Sequence, residues 1–198
     1  MNIKKLYSAS IILFIFFFSS SCLQAQNSHL INPDLLKNKW TAKWITAPLS
    51  PSKEYGVFHF RKNFVVNEMP HQFVVNVSAD NRYRLFVNGK AVGAGPARGD
   101  LYNWYYETID IAPYLVKGNN TIAAQVWNMG VLAPVAQISN QTAFLLQGNG
   151  VQESIVNTNA QWKVFKNESY FPCSTNNGER LRSYMVVGPG DSVVAQKY

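Results

Sequence analysis

The sequence predicts an all-β domain, a jelly-roll or galactose-binding-like β-sandwich, and three observations predict it. Short segments with period-two alternation of apolar and polar residues recur at intervals of roughly a dozen residues. Gly, Pro, Asn and Asp clusters separate them, as turns require. Past the first 25 residues, no stretch carries apolar groups at helical spacing for even about ten residues. Composition agrees: 14% of the 198 residues are aromatic and only 15% are charged, a balance that suits strands and leaves rings for stacking. The length fits one domain of ordinary size.

The clearest element is the hairpin from Ser78 to Gly93. Tyr83, Leu85 and Val87 alternate with Arg82, Arg84 and Phe86, and Asn88-Gly89 supplies the two φ > 0 positions of a type I′ turn. Upstream, Val57 to Val66 places Phe58, Phe60, Phe64 and Val66 on one face, with Lys62 as the break, and His71 to Ser78 continues as strand after Pro70. Downstream, Gly95 to Asp100 is a loop by its Gly and Pro content. Tyr106 to Ile111, Thr121 to Trp127, Ala143 to Gln147 and Trp162 to Phe165 complete the strand set. Trp40 and Trp44 sit close together at the start, where two indoles need a body to cap.

Residues 1–25 read as an export signal, with Lys4 and Lys5 as the charged region and Ile11 to Phe18 as the apolar one. Two processing routes stay open: cleavage after Ala25, giving a soluble periplasmic or extracellular chain, or lipidation at Cys22 within Ser19-Ser20-Ser21-Cys22. Residues 26–39 then form a linker, and residues 40–198 the sandwich. Without the signal, sixteen basic side chains face eleven acidic ones, a net charge of +5 spread without a basic run, which argues against nucleic acid. Cys173 has no partner cysteine in the mature part and reads as a small buried hydrophobe.

Asp80 and Asn81 stand at the mouth of the hairpin. A short carboxylate and a short amide there can ligate a hard cation, bond a sugar hydroxyl, or close an Asx-turn with their own backbone. By type, Asp80, Asp100, Glu107 and Asp110 are the available carboxylates. Glu107 and Asp110, at odd spacing on one strand, point to opposite faces and read as solvated surface groups.

From Trp40 onward, the order of Trp44-Ile45, the Ala79 to Gly89 hairpin, Gly95 to Asp100, the Tyr106 to Ile111 strand, Gly118 to Ile122 and Val126-Trp127-Asn128 resembles the N-terminal β-sandwich region of bacterial α-L-rhamnosidases. The resemblance implies a domain of an exported glycoside hydrolase whose catalysis lies in a later (α/α)₆ barrel. Inverting hydrolysis needs two carboxyls about 6.5 to 9.5 Å apart, and the barrel is not in this sequence, so no catalytic residue is assigned and a fragment of a larger rhamnosidase is expected. By the same resemblance, the domain would recognise rhamnose-containing polysaccharides or glycosides. Calcium would be held by Asp80, Asn81, Asn128 and a group near Pro134, with Asp80 and Asn81 also facing the sugar. Trp104, Tyr105 and Trp127 would form the platform for the sugar's apolar face. Each of these residues also has an ordinary reading as turn, strand cap, loop kink or core. The alternative function is a purely structural domain that packs on the catalytic barrel and shapes its cleft. An adhesin role rests on the leader alone.

Overall fold

A computed structural model describes residues 30–48, 53–173 and 187–198. The export-signal, Cys22 and Ala25 expectations lie outside the described residues. The described chain carries a single four-residue helix, α1 (Asp34–Lys37), and ten strands: β1 (Gly56–Val66), β2 (Val74–Ala79), β3 (Arg82–Val87), β4 (Lys90–Gly95), β5 (Glu107–Asp110), β6 (Gly118–Asn128), β7 (Phe144–Gly148), β8 (Lys163–Lys166), β9 (Tyr170–Cys173) and β10 (Gly190–Val193). A five-stranded sheet runs β4-β3-β6-β1-β8, a three-stranded sheet runs β5-β2-β7, and β9 and β10 form a separate ribbon. All these pairings are antiparallel.

The alternation dictates which sheet faces meet. Phe58, Phe60, Tyr83, Leu85, Ile122, Ala124 and Val126 from the larger sheet are buried in one cluster with Val75, Val77, Phe144 and Leu146 from the smaller. Aromatic rings bridge the layers: Phe60 and Phe144 lie 5.4 Å apart between centroids, and Tyr83 meets Phe144 edge-on at 6.2 Å. This is a β-sandwich, with the core between two antiparallel sheets. At the β3–β4 turn, Asn88 (φ 49°) and Gly89 (φ 79°) both occupy the left-handed region, as a type I′ turn demands. Asn88 also ties the turn to the start of β6, since its side-chain amide donates to the Asn120 side chain at 2.8 Å and its side-chain carbonyl accepts from Thr121 N–H at 2.9 Å.

Further chain lies against each outer face, covering the larger sheet only in part. Over the small sheet lie residues 40–47 and the loop before β5: Gln147 accepts from Ala42 N–H at 2.9 Å, and the Ser78 hydroxyl donates to the Tyr105 carbonyl at 2.7 Å. Part of the segment expected as a linker is anchored, because Asn32 donates two hydrogen bonds to Asn149, at 2.7 and 3.0 Å. Over the large sheet lies the β9–β10 ribbon, where Tyr170 accepts from Gln125 at 3.4 Å. The sequence reading did not foresee this ribbon. Cys173, read as buried, is exposed at its edge, because beyond Tyr170 the β9 side chains turn to solvent.

Candidate functional site

Asp80 and Asn81 form the two-residue corner at which the chain passes from β2 in one sheet to β3 in the other. Both are almost wholly buried, at 3% and 1% exposure. A buried carboxylate needs its lone pairs filled, and Asp80 fills all of them from within the protein. Its Oδ1 accepts from the N–H groups of Asn140 at 2.8 Å and Gln141 at 3.2 Å. Its Oδ2 accepts from Asn81 Nδ2 at 2.9 Å and from the Ser139 hydroxyl. Asn81 Oδ1 accepts from Met129 N–H at 3.2 Å, and Asn128 donates to Thr142 Oγ1 at 2.7 Å while accepting from Gly130 N–H at 2.8 Å. The corner, the end of β6 and the 139–142 loop are thereby clamped together.

This arrangement bears on calcium. The ion takes six to eight oxygen ligands, and carboxylate charge holds it. Asp80 is the only charge in the Asp80, Asn81, Asn128 and Pro134 set, and each of its oxygens already carries two donors. The Pro134 carbonyl closes a turn by accepting from Gln137 N–H at 2.8 Å. As arranged, the set does not fit calcium, since the ion would have to displace the 139–141 loop from Asp80. No group of three or more His, Cys, Asp or Glu with metal-holding geometry occurs among the described residues.

What the clamp does shape is a cleft. Trp44, Asp80, Trp104, Asn140, Gln141 and Ala143 line a recess of about 190 Å³. The two indoles meet edge to face, 5.9 Å between centroids and 64° between planes, and Trp44 is 43% exposed. Trp44 and Trp104 also line an adjoining apolar groove of about 500 Å³ with Leu35, Leu36, Trp40, Tyr106 and Leu145. Trp40 is fixed there by its indole N–H, which donates to the Leu35 carbonyl at 3.0 Å, and by Tyr106, edge-on at 5.0 Å. The exposed side-chain amides of Asn140 and Gln141 have no hydrogen-bond partner among the described residues, so the cleft offers aromatic faces beside free amide groups. This combination suits a small polar ligand with one apolar face.

The expected platform is therefore divided. Trp104 lies beside Asp80, and Tyr105 packs by Gly99 with its ring 57% exposed and outside the cleft. Trp127 stands on the outer face of the large sheet, its indole N–H donating to Asp191 Oδ2 at 3.2 Å with the Arg84 guanidinium 5.7 Å from its ring centroid. The alternation of β6 dictates this: Val126 and Asn128 turn inward, so Trp127 must turn out. Sequence reasoning missed Trp44, Asn140 and Gln141. Trp44 was read as a core cap, and a Ser-Asn-Gln run carries no signal beyond a turn.

The other carboxylates serve the backbone. Asp110 Oδ1 accepts from the N–H groups of Phe73 and Ala112 at 2.9 and 3.0 Å, and Glu107 accepts from Ala97 N–H at 3.2 Å. The Asn103 amide, with N–H groups of residues 102 and 103, holds the exposed Asp100 carboxyl below its usual range. Among the described residues, Asp80 is the one acid lining the indole cleft.

The architecture defines a class, a β-sandwich with an aromatic cleft at the loops joining its sheets. No protein-family model matches the chain, and no curated protein does. Among solved structures it is similar to a GH78 family rhamnosidase of Bacillus sp. GL1, with a TM-score of 0.67 and 23% identity over 81% of this chain and 17% of that one. It is also similar to an α-L-rhamnosidase from Dictyoglumus thermophilum (TM-score 0.55, 21% identity, 70% of this chain and 18% of that). A third is an α-L-rhamnosidase from Aspergillus terreus (0.53, 19%, 78% and 21%). At these identities the likeness establishes the fold, which this chain shares with part of those enzymes. The chain spans about a fifth of their length.

Proposed function

We propose that this chain is an accessory carbohydrate-binding domain, the N-terminal β-sandwich of an exported α-L-rhamnosidase-like hydrolase, and that it recognises rhamnose-containing glycans through the Trp44–Trp104 cleft. The observation that carries the reading is an exposed indole edge-packed on a second one, beside two free amides in a recess of about 190 Å³. A 6-deoxy sugar presents a methyl group and C–H faces that indoles desolvate well, and its hydroxyls need the donors and acceptors that Asn140 and Gln141 supply. Asp80 acts at one remove, holding the 139–141 backbone in place.

The test is calorimetric titration of the chain with L-rhamnose and with a rhamno-oligosaccharide. Trp104→Ala and Trp44→Ala are each expected to weaken binding at least about tenfold, while Trp127→Ala leaves it unchanged. Unaltered affinity in both cleft variants would overturn the proposal. The adjoining groove favours a second reading, in which Leu35, Leu36 and Trp40 dock on a catalytic (α/α)₆ barrel. In a chain that includes the barrel, slowed amide exchange of residues 35–40 relative to the isolated domain would support it.

A further inference from the structure

We infer a second binding site, on the opposite outer face of the sandwich, that takes a carboxylate-bearing sugar of the hexuronate class between Arg82, Arg84 and Trp127. The pairing register places it there: Arg82 stands opposite Trp127 and Arg84 opposite Gln125, so both guanidinium groups rise on the indole's side of the sheet. The β10 end of the ribbon, through Pro189 and Asp191, closes these residues into a recess of about 350 Å³.

The recess lining carries two guanidinium groups and one carboxylate. That carboxylate, Asp191, accepts from two neutral donors, the Tyr55 hydroxyl at 2.6 Å and the Trp127 indole N–H at 3.2 Å, rather than from a guanidinium. Glu107, behind Gly95, is held by the Ala97 N–H at 3.2 Å. Among the described residues the single ion pair is Lys166–Glu168 at 4.0 Å, so neither arginine has a carboxylate partner. Arg82 gives one N–H to the Pro96 carbonyl and keeps the rest of its fork. Burial, and then the nearby charge of Arg98, push the Arg82 guanidinium below its usual range. Arg84, stacked over the Trp127 ring, is pre-oriented for a planar bidentate partner.

A carboxylate answers that geometry, and the indole edge beside it adds a contact for a sugar ring. The volume is near the lower end for small-ligand pockets, which favours a monosaccharide unit over a peptide. The proposal borrows from the first reading only the sugar nature of the ligand, and its residues are separate. The test titrates the chain with trigalacturonate, with the neutral galactose trisaccharide, and with sodium sulfate as the bare anion. Trigalacturonate is expected to bind, to weaken as NaCl rises from about 50 to about 300 mM, and to lose about tenfold in affinity in Arg82→Gln and in Arg84→Gln. Trp104→Ala should bind it normally. Equal binding of the neutral trisaccharide, sulfate binding as tight as the uronate, or no loss in either arginine variant would each overturn the proposal. Arg84 is exposed, so its variant keeps the fold, and thermal midpoints check this. Because L-rhamnose is read at Trp104 and uronate at Arg84, either site can fail without the other.

Discussion

At the residue scale, Asp80 decides most. Its carboxylate receives three donors from a loop some sixty positions away and a fourth from the adjacent Asn81, so the ordinary cost of a lost turn hydrogen bond understates its removal. Asp80→Ala strands two backbone N–H groups and a hydroxyl in a buried site, and about 3 kcal/mol of stability should go with them, measurable by urea unfolding. The same melts with calcium or with chelator should give wild-type midpoints that coincide, because no free charge is left for the ion. The identity of the corner was legible from its Asp-Asn spacing. Its partners were not, since the donors of Asn140 and Gln141 are main-chain groups that leave no trace in composition. Tyr83 poses the opposite case, a fully buried hydroxyl with no hydrogen-bond partner among the described residues, whose acidity burial and Glu107 both suppress. Tyr83→Phe is therefore expected to be neutral or to stabilise by about 1 kcal/mol, and a clear loss of stability would reveal a partner for that hydroxyl.

At the scale of elements, legibility followed local chemistry. The β3–β4 hairpin could be read outright because alternation and an Asn-Gly turn lie within one short stretch. Ile122, Ala124 and Val126 likewise proved fully buried on one face of β6. The β9–β10 ribbon could not be read, because Pro172 interrupts a four-residue strand and its partner lies beyond a long connection. Nor does any local pattern say which outer face a strand's polar side will meet, so Trp104 and Trp127 looked like one platform. Gly148 at the end of β7 is a quieter element marker: a Cβ there would stand 2.4 Å from the Glu153 backbone. The contact is with main chain and cannot rotate away. Gly148→Ala should push the 153–156 turn off the sheet and lower the urea midpoint well beyond the few tenths of a kcal/mol usual for surface changes.

At the scale of the whole molecule, stability should depend on pH and on the segment before the first sheet. His59 joins β1 to the β8–β9 region through Asn167 at 3.1 Å and Phe165, and burial lowers its proton affinity from the ordinary 6.5. The unfolded chain then binds the proton more readily, so stability is complete above about pH 6.5 and falls as pH drops below it. Melts at successive pH values should show that slope, and His59→Gln should flatten it. The N-terminal segment tests a different coupling. Leu30 and Asn32 make three hydrogen bonds to Asn149, at 2.8, 2.7 and 3.0 Å, and Leu35 caps the Trp40 indole. None of these residues belongs to either sheet, so a chain starting at Trp40 should keep the far-UV spectrum of a β-sandwich. It should nevertheless lose about 2 kcal/mol relative to one starting at Leu30, or roughly 4 to 8 °C in midpoint for a domain of this size. Asn149→Ala in the longer chain should reproduce most of that loss and should add little in the shorter one. Equal midpoints for the two chains would mean that residues 30–39 lie on the sandwich without stabilising it.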